Sequence, residues 1–204
     1  MTSRPRFGRL LTAMVTPFDT EGSLDLERGA ELANRLFDNG SDALVVCGTT
    51  GESPTVNYDQ KIELFRTVLE GAGTRGAIIA NVGDNCTADS VAFAQKVEKL
   101  GVDAVMAVTP YYNKPPQEGL YRHFKAIAES VDVPVILYNI PGRCVINIEP
   151  DTILRLAHDV ENIVAVKQAN ADLAQVKRIV EEAPDGFELL SGDDALTLPM
   201  MELG

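Results

Sequence analysis

The chain has 204 residues, 45% of them hydrophobic, 24% charged and 6% aromatic, the balance of a globular protein and not of a disordered, collagenous or membrane chain. Eighteen Lys and Arg against thirty Asp and Glu give a formal charge of -12, which leaves no basic footprint for nucleic acid or anionic lipid, so neither is expected as a partner. Residues 1–11 are polar and basic without a signal-like apolar run, and Cys47, Cys86 and Cys144 are far apart without metal-like spacing; the expectation is a cytoplasmic protein with reduced thiols and no metal.

In chain order, short apolar runs alternate with amphipathic segments. The runs 10–15, 43–47, 77–82, 104–109, 134–138, 163–167 and 187–190 predict strands, recurring at intervals of about 24 to 34 residues, the size of one βα unit. Most are apolar throughout, as strands buried on both faces are. Segment 25–38 puts Leu26, Ala30, Ala33, Leu36 and Phe37 on one helical face, and 58–69 does the same with Ile62, Phe65 and Leu69. Gly40, Gly71 and Gly101 predict left-handed helix ends, and Thr87-Ala88-Asp89-Ser90 predicts an N-cap with an acidic first turn for a helix reaching Leu100. No linker or charge block interrupts the series, so residues 1–204 read as one domain.

Seven βα units allow a (β/α)8 TIM barrel or an open doubly wound sheet. No Gly-rich phosphate loop follows an early strand. Chemically capable residues instead follow many strands: Thr16, then Thr49 and Thr50, then Tyr111 and Tyr112, then Tyr138 and Arg143, then Lys167, then Asp193 and Asp194. A barrel gathers such strand ends into one mouth, and the α/β barrel, with about seven of its eight units in this chain, is the expected fold.

Lys167 closes the run Ile163-Val164-Ala165-Val166. A lysine ending a buried strand loses water around its ammonium, which lowers its pKa and supplies a neutral amine able to attack a ketone; a lysine there also simply snorkels to solvent. Tyr138 ends another apolar run, and its phenol is suited to shuttle the protons of imine formation, or else is a packed ring with a bonded hydroxyl. The turn Gly48-Thr49-Thr50-Gly51-Glu52 offers hydroxyls and free N–H groups to a carboxylate, or is structural only.

Gly48-Thr49-Thr50-Gly51-Glu52-Ser53, Thr109-Pro110-Tyr111-Tyr112-Asn113, Tyr138-Asn139-Ile140-Pro141-Gly142-Arg143 and Val164-Ala165-Val166-Lys167-Gln168-Ala169, in that order and spacing, resemble the motifs of the dihydrodipicolinate synthase and N-acetylneuraminate lyase family. The resemblance runs from about Gly8 through Ser191-Gly192-Asp193-Asp194 to the last residue. The second threonine, the paired tyrosines and the arginine resemble the dihydrodipicolinate synthase branch.

The resemblance implies that Lys167 forms an imine with pyruvate and that Tyr138 relays protons. Thr49 and Tyr112 match the rest of a hydroxyl relay, with the Tyr112 equivalent typically reaching in from a neighbouring subunit of a homo-oligomer, a homotetramer by resemblance. Thr50 and Gly192 match substrate-binding positions, Thr50 at the pyruvate carboxylate. Arg143 matches the residue that holds the carboxylate of the second substrate, L-aspartate 4-semialdehyde, and its planar fork suits that task. The implied product is the heterocyclic precursor of lysine and diaminopimelate, made without metal or organic cofactor. The positions that bind inhibitory lysine in some relatives correspond to Tyr58, Lys61, Asp89 and Tyr111, with Asn85 nearby. Lys61 brings a positive charge there, and Tyr58 and Lys61 also read as an ordinary solvated helix face; either way weak feedback is expected.

The chain departs from the family pattern at Cys144 and Val145, where Thr or Ser and often Gly follow the arginine, and at Gln168, where an acid is frequent. Relatives also continue with an eighth strand and a helical region, so the chain is expected to be a fragment or partial record. Two alternatives stand: another class I pyruvate-dependent aldolase acting on a sugar acid, and a catalytically silent barrel fragment.

Overall fold

β-Branched and small apolar side chains fill a buried strand well, and each predicted run forms a strand whose ends fall within two residues of the expected ones, the first and last of the seven half-buried. The computed structural model describes residues 5–204; the first four residues of the polar start lie outside them. The strands are β1 (Leu11–Ala13), β2 (Ala43–Val46), β3 (Ala77–Asn81), β4 (Ala104–Val108), β5 (Val135–Asn139), β6 (Ile163–Gln168) and β7 (Glu188–Ser191). The helices are α1 (Leu26–Asp38), α2 (Tyr58–Ala72), α3 (Thr87–Glu98), α4 (Gln117–Ala128), α5 (Pro141–Cys144), α6 (Pro150–Asp159), α7 (Leu173–Glu182) and α8 (Thr197–Met201). Sheet order follows chain order from β1 to β7. A doubly wound sheet must reverse its order at a switch point, so the fold class is the (β/α) barrel, as the strand ends led one to expect.

By internal contacts the residues group into two compact units, one running up to Asn81 and including Lys96–Val105, the other comprising Val82–Gln95 and Met106–Gly204. The division passes just after β3 and within α3 and β4.

In the first unit β1, β2 and β3 pair in parallel, with Leu11 level with Ala43 and Ala43 level with Ala77. Asp25 caps α1 by accepting the Arg28 N–H, and Asn57 and Gln60 form a reciprocal capping box at the start of α2. Gly71 is not the predicted cap: α2 runs on to Ala72, Gly71 sits inside it facing Ala30, and Gly73 at φ +57 ends it. The buried face of α2, with Leu64, Phe65, Val68 and Ala72, carries the helix one residue past Gly71. Two carboxylates pin strand starts. Asp42 Oδ2, just before β2, accepts the Arg9 and Leu10 N–H groups at 2.7 and 2.9 Å. Asp103 Oδ2, just before β4, accepts the Ile78 N–H at 2.7 Å, while its own N–H donates to the Ile78 carbonyl.

In the second unit β5, β6 and β7 pair in parallel and α4 packs on α6. Asn162, just before β6, donates Nδ2 to the carbonyls of Ala128 and Val131 at 2.8 and 2.9 Å and accepts the Val135 N–H on its own carbonyl. Thr87 does not cap α3 as predicted. It is the first helical residue, and its hydroxyl pairs with Nδ1 of the buried His123 at 2.9 Å.

Candidate active site

In the second unit Tyr138 is the register partner of Lys167, and Asn139 that of Gln168. Alternation along a strand sends Tyr138 and Lys167 to one face and Asn139 and Gln168 to the other. Tyr138 is 3% exposed, and the Lys167 Nζ lies 4.3 Å from the centre of its ring, within cation–π range. Burial pushes the Lys167 amine below the ordinary lysine range, with the charge of Asp194 acting in the opposite sense. Desolvation thereby shifts the amine toward its neutral, nucleophilic form.

Gly192 follows β7 and stands against this lysine. A Cβ there would lie 3.2 Å from both Cγ and Cε of Lys167 and 2.9 Å from the Cβ of Ala169, so the missing side chain leaves the lysine stem its room. The Gly192 N–H donates to the Gln168 carbonyl at 2.8 Å.

After β5 the chain makes the single helical turn α5, which carries the exposed Arg143. Cys144 is buried beside it, and burial pushes its thiol up to about 11. Val145 closes the turn at φ +70, a left-handed conformation that a β-branched residue adopts only under strain. Burial raises the Tyr111 phenol, with Asp84 and Cys144 adding to the effect. Tyr112 is 88% exposed at φ +70 and presents its ring outward.

In the first unit the threonine turn is tightly built. Cys47 and Glu52 both have φ +54, and the Thr16 hydroxyl donates to the Gly51 carbonyl at 2.6 Å. A Cβ at Gly51 would approach the Met14 carbonyl to 3.0 Å and Thr16 Oγ1 to 3.1 Å. The Glu52 N–H donates to the Thr49 carbonyl, and Asn81 Nδ2 donates to Ser53 Oγ at 3.0 Å. Thr49 is half-buried and Thr50 exposed. Burial pushes the Cys47 thiol up to about 11 against the lowering influence of Lys61 and Thr16. The solvated-face reading of Lys61 is corrected: it is 6% exposed, with Nζ 5.4 Å from the centre of the Tyr58 ring.

Among the described residues no group of three or more His, Cys, Asp or Glu is arranged to hold a metal, and no helix is long and apolar enough to cross a membrane. Sequence reasoning missed Asn139, Gln168, Asn147 and Gln175, whose side chains bond to one another. The available signal was two amides, Asn139 and Gln168, ending otherwise apolar runs.

The model of the dihydrodipicolinate synthetase family matches residues 6–204. The 4-hydroxy-tetrahydrodipicolinate synthase of Desulforudis audaxviator is 54% identical over 198 residues, which cover 97% of this chain and 67% of that protein. That of Bacillus subtilis is 51% identical, with 97% and 68% covered. Among solved structures, a dihydrodipicolinate synthase of Bacillus anthracis superposes with a TM-score of 0.95 at 50% identity, over 98% of this chain and 68% of that one. The lysine-bound enzyme of Cyanidioschyzon merolae gives 0.97 at 48% identity over the same shares. The chain thus spans about two thirds of the length of these relatives.

Proposed function

The chain belongs to the dihydrodipicolinate synthetase family, and from that premise we propose that it serves a lyase condensing pyruvate with L-aspartate 4-semialdehyde to 4-hydroxy-tetrahydrodipicolinate, in lysine and diaminopimelate biosynthesis. The observation that carries the reading is the desolvated amine of Lys167 held against the Tyr138 ring. The amine attacks the ketone carbon of pyruvate, water leaves, and an imine forms. Loss of a methyl proton gives the enamine, whose carbon bonds to the aldehyde carbon of the second substrate. The second substrate's own amine then attacks the imine carbon and expels the Lys167 amine. The imine nitrogen is the electron sink, so no further cofactor is called for.

Each side chain has a part in this proposal. Tyr138 moves protons at the carbinolamine oxygen, and Thr49 and Tyr112 extend the relay. The 88% exposure of Tyr112 suits a residue that completes the site of a neighbouring copy in a cytoplasmic homotetramer. Thr50 and Gly192 seat pyruvate, and Arg143 takes the second carboxylate. We read residues 1–204 as part of a single barrel domain. Feedback by free lysine is weak or absent on this reading, because the buried Lys61 opposes a cationic effector.

Reduction with borohydride in the presence of pyruvate tests the assignment. Wild-type protein should gain one stable adduct, mapped by mass to Lys167, and Lys167→Ala should gain none. Equal labelling of the variant would overturn it.

A further inference from the structure

Behind Lys167, on the opposite face of β5 and β6, lies the connected set of amides. Asn139 is fully buried. Its Nδ2 donates to Asn147 Oδ1 at 2.7 Å and to Gln168 Oε1 at 3.1 Å, and its Oδ1 accepts the Ile148 N–H at 3.1 Å. Its carbonyl accepts the Ala169 N–H at 2.9 Å. One residue, adjacent in sequence to Tyr138, therefore grips Gln168 and Ala169, the two residues that follow Lys167, together with the far end of the loop that carries Arg143. Asn147 is itself held by Gln175 Oε1 at 2.8 Å and, through its carbonyl, by Gln117 Nε2 at 2.8 Å.

The bonding pattern calls for an amide at residue 139. Two acceptors need two N–H groups, and a backbone N–H needs an acceptor; an ionised carboxylate in its place would face Gln168 Oε1 and Asn147 Oδ1 with no proton to offer. Gln168 is also fully buried, and its Nε2 has no hydrogen-bond partner among the described residues. The Gln168 amide is turned so that its oxygen meets Asn139 Nδ2, since the opposite orientation would set two donors face to face. The loop needs this grip: α5 is four residues long and ends on the strained, exposed Val145.

We propose that Asn139 is a positioning residue that clasps the Arg143 loop to the strand bearing Lys167, so that the arm receiving the second, carboxylate-bearing substrate stands at a fixed distance from the imine. The proposal rests on the reading of Lys167 and Arg143 given above. It separates the two half-reactions: imine formation with pyruvate does not use Arg143 or the clasp, whereas capture of the second substrate needs both.

The test uses Asn139→Ala, Asn147→Ala and the double variant of the whole enzyme, with three readouts: borohydride trapping with pyruvate, KM and kcat for the carboxylate-bearing aldehyde, and turnover of an aldehyde lacking the carboxylate. Asn139→Ala should keep wild-type trapping stoichiometry within about twofold, raise KM for the carboxylate-bearing aldehyde roughly tenfold or more, and leave the aldehyde without a carboxylate unaffected. Asn147→Ala should act in the same direction, and the double variant should add little, since both cut one connection. Gln168→Glu, which keeps an acceptor for Asn139 Nδ2, should retain a near-wild-type KM. Unchanged KM in a trapping-competent Asn139→Ala would overturn the clasp, as would trapping and both aldehydes falling in the same proportion. Should Asn139→Ala not fold, Asn147→Ala carries the same criteria. Wild-type protein that pyruvate does not label would overturn the reading of Lys167 itself.

Discussion

Lys167 and Tyr138 stand level on neighbouring strands, with the lysine nitrogen 4.3 Å from the centre of the phenol ring. The ring face meets the amine, and on the proposed function the hydroxyl carries protons, so the two are separable. Tyr138→Phe should therefore keep pyruvate binding within a few-fold while kcat falls by roughly two to four orders of magnitude, the range for a lost acid–base group. Steady-state kinetics beside pyruvate trapping decide it, and a kcat within threefold of wild type would remove Tyr138 from the relay.

Gly192 sets the room in which the lysine stem moves. Gly192→Val should slow imine formation at least about tenfold, because a branched side chain displaces Cγ and Cε of Lys167 from their position against Tyr138, at a stability cost of about 1 to 3 kcal/mol. Rapid-quench borohydride trapping gives the rate, and an unchanged rate in a folded variant would show that the space is not used.

Val145 bears a β-branched side chain at φ +70 while 67% exposed. Glycine there removes the left-handed penalty and forfeits little burial, though it adds freedom to the unfolded chain. Val145→Gly should stabilise the protein by up to about 1 kcal/mol, read as a higher midpoint in urea. A loss larger than about 1 kcal/mol would show that the valine contributes contacts that outweigh its backbone strain.

His123 is buried against Phe124 and Thr87, and burial lowers its pKa to about 4, with the charge of Asp84 acting the other way. An unfolded histidine titrates near 6.5. Between those values the unfolded chain takes a proton that the native state refuses, so stability falls as pH drops from about 6.5 to about 4, by up to about 3 kcal/mol from this group. His123→Gln should flatten that part of the stability profile. Urea midpoints at pH 7 and 4.5 measure it, and an equal acid loss in both proteins would exonerate His123.

Strand positions and the Lys167–Tyr138 pair were legible in the sequence because both are one-dimensional signals: an apolar run, then a reactive residue at its end. The amide clasp was not, because Asn139 acquires meaning only from Asn147, Ile148 and Gln168, eight to twenty-nine positions away. A lysine on an amphipathic helix ordinarily reads as solvated, whereas Lys61 is buried beside the Tyr58 ring. Glycine commonly signals a helix end, but Gly71 lies inside α2, where a Cβ would meet Ala30 at an ordinary 3.6 Å, and the helix runs on to Ala72. The fold class needed no such partners, since strand order followed the repeat.

The three residues that stand just before β2, β4 and β6, Asp42, Asp103 and Asn162, each tie back to a segment 25 to 34 positions earlier. None of these ties spans more than about one repeat. Register is consequently set by neighbours as they arrive, so the chain can assemble like a zipper fastened at every second tooth, with no long closure to be found before the first strands are correctly aligned. Such a chain has an intrinsic direction of assembly available during synthesis. The residues that confer it, lying at strand beginnings away from Lys167, are free to be tuned for speed of folding without touching the chemistry at the strand ends.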